Sequence, residues 1–199
     1  MTAASVLLTS CENRRNTRAT ARTPAAPRAE AEASPPPPST LADDGLREID
    51  GPGLTALIKS SKRKATILNV WASWCGSCKR ELPMLVDLGH ALEHENVGVV
   101  FVTVDEPEAR PNAVALLETL DPKPVSYIAT GAFGLFKRAV NPSWKGALPA
   151  TVLYDGQGEL LWFWPGPVLE HEITTIVNAY LAGQPLVGPT LVEPDPPPR

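Results

Sequence analysis

The 199-residue sequence has little cysteine, histidine, methionine or aromatic content: three Cys, three His, two Met, and 6% Phe, Trp and Tyr together. Three cysteines exclude a disulfide-dense scaffold, and an odd number cannot all pair within one chain. No apolar run reaches about 18 residues, so no segment is long enough to span a membrane as a helix. Positive charge is not in excess either. Eighteen Lys and Arg stand against 22 Asp and Glu, for a net charge of −4, which gives no reason to expect nucleic-acid binding. What the chain does have is proline: 22 residues, about 11% and roughly twice ordinary usage. Six precede Leu41 and five follow Leu186, so half the proline lies in the two ends. That excludes one uniformly folded domain from end to end. The central stretch of about 146 residues matches the commonest domain size and can bury a core.

The composition divides the chain into residues 1–11, a linker over 12–41, a folded domain over 42–185 and a Pro-rich tail over 186–199. Residues 1–10 are short, mostly apolar and uncharged, and Leu8-Thr9-Ser10-Cys11 resembles a bacterial lipobox, in which the cysteine is acylated and becomes the new N-terminus. No Lys or Arg precedes Cys11 and the apolar stretch is short for a signal peptide. The alternative is an N-terminus with an incidental cysteine. From Glu12 to Thr40 there is no large apolar residue, only Ala, Pro, Thr, Ser and Asn with five arginines (Arg14, Arg15, Arg18, Arg22, Arg28) and three glutamates. Such a segment cannot bury enough apolar area to offset its chain entropy and is expected to act as a spacer. Pro35 to Pro38 stiffen it, and a coil of this length reaches about 30 Å. A spacer directly after a lipidated cysteine is the layout of a domain held off a membrane. The arginines are read as solvated, with contact to anionic lipid heads as the second possibility.

Within the domain, Ala65–Trp71 and Val97–Val104 are apolar runs of strand length, the second rich in β-branched residues. Helical spacing covers Ser77–Glu93, with Leu82, Leu85, Val86, Leu88 and Leu92 on one face. Leu54–Ser60, Asn112–Leu120, Phe133–Val140 and Val168–Leu181 are further helices. Val125–Ala129, Thr151–Tyr154 and Glu159–Trp164 are further strands, the last two joined by the hairpin signal Asp155-Gly156-Gln157-Gly158. This order predicts an α/β sandwich with a mixed sheet.

The chemistry concentrates in WASWCGSCKRELP, residues 71–83. Cys75 and Cys78 form a C-x-x-C that follows a buried strand and opens a helix. Unsatisfied N–H groups and the dipole at a helix N-terminus favour an anion, so a Cys75 thiolate is expected to be stabilised. Gly76 and Ser77 offer an incoming disulfide little hindrance. Trp74 can shield one side while leaving Cys75 exposed, and Pro83 is expected to kink the helix. Other readings are weaker. A zinc site needs more ligands than one C-x-x-C, and His90 and His94 read as solvated helix residues. Haem attachment needs His after the second Cys, where Lys79 stands. A purely structural disulfide closing so short a loop would constrain the unfolded chain little.

Across Leu46–Leu181 the sequence resembles the thioredoxin superfamily, and within it the TlpA/ResA-like periplasmic thiol-disulfide oxidoreductases. ILNVWASWCGSCKRELP carries the family's strand–WCxxC–helix pattern. The resemblance implies a three-layer sandwich with a mixed central sheet flanked by helices, and a cis-proline facing the cysteines. That proline would be Pro149, in GALPAT before a strand, with Leu148 offering backbone bonds to a bound peptide; taken alone, Pro149 is an ordinary loop proline. Where cytosolic thioredoxins carry a buried Asp this chain has Asn69, and where the TlpA/ResA-like pattern carries Glu it has Glu81, followed by Pro83. Glu81 lies at i+3 from Cys78 on the same helical face. If partly buried, it would have a raised pKa and serve as a general base; the alternative is a solvated Glu beside Lys79 and Arg80. Glu106–Ala129 resembles the subfamily's extra helix–strand insert. Trp144 would line the groove or fill the core.

The implied activity is protein-disulfide reduction by catalytic Cys75, Cys78 and Glu81, with Trp74, Gly76, Ser77, Leu148 and Pro149 holding substrate. No metal is implied, and no cofactor beyond the redox-active Cys75–Cys78 pair. The implied partners are disulfide-bearing envelope proteins such as apocytochrome c, a membrane-embedded electron donor, and the membrane itself through a lipid on Cys11, on the periplasmic side of a bacterial envelope. The alternatives are an oxidising or isomerising protein with the same site, or a non-catalytic thioredoxin-fold binding module.

Overall fold

Strand β2 (Ala65–Trp71) is buried along its whole length, as a seven-residue apolar run in the middle of a sheet should be. The computed structural model describes residues 44–187. Around β2 the elements follow in the order β1 (Leu46–Ile49), α1 (Gly51–Ser60), β2, α2 (Gly76–Leu92), β3 (Val97–Thr103), α3 (Arg110–Leu117), β4 (Ser126–Ala129), α4 (Phe133–Val140), β5 (Ala150–Asp155), β6 (Leu160–Pro165) and α5 (Glu170–Leu181). The six strands form one mixed sheet in the order β1-β4-β3-β2-β5-β6. The β1–β4, β4–β3 and β3–β2 pairs are parallel; β5 pairs antiparallel to β2 and to β6.

Period-2 alternation sends successive β2 side chains to opposite faces. Ala65, Ile67 and Trp71 join a core with Leu82 and Leu85 of α2, Leu117 of α3, and Ile173 and Ile176 of α5. Leu68 and Val70 face a second core with Leu54 and Ile58 of α1 and Phe136 and Val140 of α4. The result is three layers: α2, α3 and α5 on one face, the sheet, and α1 and α4 on the other, the thioredoxin-like sandwich implied by the sequence.

Two differences from the sequence-based expectation have physical reasons. Strand β1 was not anticipated; its four residues, LREI, include two charged side chains, and it is a short edge strand paired only with β4. Helix α1 starts three residues before Leu54, because the Asp50 side chain accepts a hydrogen bond from the Gly53 N–H (2.7 Å) and Pro52 occupies the first turn. Helix α2 continues through Pro83 to Leu92, so the proline does not end it. Lipobox residue Cys11 and the 12–41 linker lie outside the described residues.

Candidate active site

Cys75 is the N-cap residue of α2, with extended backbone, and the Cys78 N–H donates to its Sγ at 3.2 Å. Cys75 and Cys78 are joined as a disulfide, with Cα atoms 5.3 Å apart. Cys75 is 7% exposed and Cys78 1%. The order of access follows the sequence argument, but Cys75 is more enclosed in this disulfide form than an exposed cysteine would be. Trp74, beside it, is 68% exposed. Gly76 is exposed and Ser77 half-buried, the Ser77 hydroxyl lying 3.5 Å from Cys75 Sγ.

The loop carrying the cysteines is held from behind by Asp105, just after β3. Its carboxyl group, 3% exposed, accepts from the Ser73 N–H and the Ser73 hydroxyl, each at 2.8 Å, and from the Thr103 hydroxyl. The Cys75 N–H closes a turn onto the Ala72 carbonyl at 3.0 Å. Sequence reasoning missed this clamp: Asp105 is 30 residues from Cys75 and carries no motif.

Glu81 sits on the buried side of α2 with Cys78, only 6% exposed. One carboxyl oxygen accepts from the Asn69 amide (3.2 Å) and the Thr151 hydroxyl (3.3 Å), the other from the Val168 N–H (3.3 Å). Asn69 also donates to Thr151 at 3.0 Å. Burial pushes the Glu81 carboxyl up to about 7, against the opposing pull of the three hydrogen bonds to its charged form. The solvated alternative for Glu81 is therefore excluded. Asn69, which the resemblance places where cytosolic thioredoxins carry a buried Asp, is a donor to it, and the sequence carries no signal that singles out Thr151 or Val168.

The third wall is the loop before β5. The Leu148–Pro149 peptide is cis. Pro149 is buried and its carbonyl accepts from the Gly166 N–H at 2.9 Å, while Leu148 is half-buried and its backbone makes no hydrogen bond within the described residues. Gly146, at φ +95°, takes a conformation that side chains disfavour, and a Cβ there would meet the Phe133 ring at 3.5 Å. Trp144 belongs to the core at 1% exposure; its indole donates to the Ala147 carbonyl at 2.8 Å and its ring meets Phe133 edge-on. It supports the loop from beneath and does not line the groove.

Residues 50–163 match the model of the AhpC/TSA family. The chain belongs to the AhpC/TSA family. It is a thiol-disulfide oxidoreductase of the thioredoxin superfamily. Among similar relatives, a thiol:disulfide interchange protein DsbE of Allochromatium vinosum is 32% identical over 74% of this chain and 82% of its own length. HelX of Rhodobacter capsulatus, another thiol:disulfide interchange protein, is 29% identical over 60% of this chain and 62% of its own. ResA of Geobacillus thermodenitrificans, a thiol-disulfide oxidoreductase, is 24% identical over 68% of this chain and 72% of its own. Among solved structures, a thioredoxin-family thiol:disulfide interchange protein from Chlorobium tepidum superposes with a TM-score of 0.52 at 25% identity, covering 61% of this chain and 83% of that one. Against this family background, the residues that the fold brings to one end of the sheet are the cysteines, Glu81 with its donors, and the Leu148–Pro149 loop.

Proposed function

We propose that the protein reduces disulfides in proteins of the bacterial envelope, apocytochrome c among them, through the Cys75–Cys78 dithiol. The Cys75 thiolate attacks a substrate disulfide, forming a mixed disulfide and releasing one substrate thiolate, which takes up a proton. Glu81 accepts the Cys78 proton. Cys78 then attacks Cys75, and the second substrate sulfur leaves as a thiol. Two electrons pass to the substrate, and the pair ends as the Cys75–Cys78 disulfide. A membrane-embedded dithiol donor restores it, with no bound cofactor or metal required. Trp74, Gly76 and Ser77 border the attacked sulfur, and the unpaired backbone of Leu148 beside Pro149 takes the substrate chain as an added strand. A lipid on Cys11 holds the domain at the periplasmic face of a membrane and raises its effective concentration toward donor and substrates.

The observation that carries this reading is Glu81: a buried carboxyl poised near neutral pH, on the same helical face as the more buried cysteine. Names of relatives such as DsbE and ResA support the same class of chemistry. The test is to replace Cys78 by Ser and search for a partner trapped on Cys75. A mixed disulfide with an envelope protein, lost on Cys75→Ser, is expected. No trapped partner, together with failure of the reduced protein to reduce insulin, would overturn the reductase reading.

A further inference from the structure

Beside Trp74 and Leu148, away from the Glu81 side, lies a groove of about 500 Å³. Its floor and walls are apolar: Val104, Ile128, Phe133 and Leu148, with Trp74 and Phe133 exposed at 68% and 46%. Its charged lining is unbalanced, with Glu48, Asp105 and Glu106 against Arg110 alone. Arg110 is already committed: its guanidinium donates to the Asp44 carboxylate at 2.8 and 3.0 Å and to the Leu46 carbonyl. Asp105 is spent on Ser73 and Thr103. Glu48 and Glu106 are exposed at the rim, and neither forms an ion pair among the described residues. The groove therefore presents an apolar trough, two aromatic rings and two carboxyl groups with no direct ion pair, of which Glu48 is also drawn to the charge of Arg110.

One kind of side chain matches all three. Lys and Arg lay an apolar stem along an apolar surface and keep a cationic head at its edge, and that head is attracted both by ring faces and by carboxylates. A Phe or Leu would fill the trough but leave Glu48 and Glu106 unused, and an acidic side chain would be repelled. We infer that this groove is a specificity pocket for a basic residue adjoining the disulfide of a protein substrate. The inference rests on the proposed function, since it places that residue next to the strand added at Leu148.

The experiment uses the full chain, reduced, and three peptides that carry one internal disulfide and differ only next to the attacked cysteine: Lys, Met or Glu. Second-order reduction rates are measured at low and high salt. Each is divided by the rate with dithiothreitol, so that intrinsic reactivity cancels. The expected order is Lys above Met above Glu, with a Lys-to-Glu ratio of about five- to tenfold at low salt that shrinks as salt is added. The double charge reversal Glu48→Lys, Glu106→Lys is expected to invert the order. Equal rates on the three peptides overturn the pocket while leaving disulfide reduction standing, and so does an order that survives charge reversal. Failure to reduce any peptide, or oxidised glutathione, overturns both. Replacement of the five linker arginines by Gln provides one more check. If it raises the rate on all three peptides alike, the groove belongs to the chain's own linker and the substrate pocket is overturned.

Discussion

At Glu81, burial and three hydrogen bonds oppose one another, and burial wins, holding the carboxyl up to about 7. The folded protein then keeps a proton that the unfolded chain loses near pH 4.5, so stability falls as pH rises from about 4.5 to 7 and levels off above. The loss is expected to be about 2 kcal/mol once the site's residual access to water is allowed for. Urea unfolding of the wild type across that range should show it, and Glu81→Gln should flatten it. The same substitution should remove the inflection near pH 7 from the pH profile of Cys78 attack, leaving only the rise that thiolate formation itself gives, and slow that step about 10- to 100-fold, read by stopped-flow decay of a mixed disulfide. Thr151→Val deletes one donor to the charged form while keeping the shape. The midpoint of that pH profile should therefore move upward, whereas a role for Thr151 in packing alone would leave it in place.

At the level of elements, the α2 N-terminus depends on the end of β3. Asp105→Ala would leave the Ser73 N–H and hydroxyl and the Thr103 hydroxyl buried without an acceptor. It should cost about 2–4 kcal/mol, seen as a lower urea midpoint; Asp105→Asn, which keeps one acceptor oxygen, should cost less. The elements themselves were mostly legible. Ala65–Trp71 and Phe133–Val140 begin and end where their apolar patterns do. Where the pattern is short, legibility ends. β1 holds only four residues and takes its identity from pairing with β4, 80 positions along the chain. The site divides in the same way. Cys75 caps α2, and Cys78 and Glu81 lie within it, so the C-x-x-C spacing reveals the cysteines, and the family resemblance together with the i+3 spacing points to Glu81. Thr151 and Val168 reach Glu81 across 70 and 87 residues, and only the folded sheet brings them there.

For the whole molecule, the mixed sheet is what assembles the site. The β2–α2 turn brings the cysteines, the start of β5 brings Pro149, and the segment after β6 brings Val168, all to one end of the sheet. No helix among the described residues is long and apolar enough to cross a membrane; the proposed attachment is through Cys11. Intact-mass analysis of the chain from its native host should show an acylated Cys11 in the membrane fraction, and Cys11→Ala should move the protein to the soluble fraction. An unmodified Cys11 would remove the anchor and leave the chemistry of the domain untouched.

The central claim is that the Cys75–Cys78 dithiol donates electrons. Its reduction potential, obtained by equilibrating the protein with dithiothreitol or glutathione redox buffers and counting reduced and oxidised forms by mass after alkylation, tests this most directly. A value near that of thioredoxin, about −270 mV, is predicted; one near about −120 mV would mark an oxidant and contradict the account.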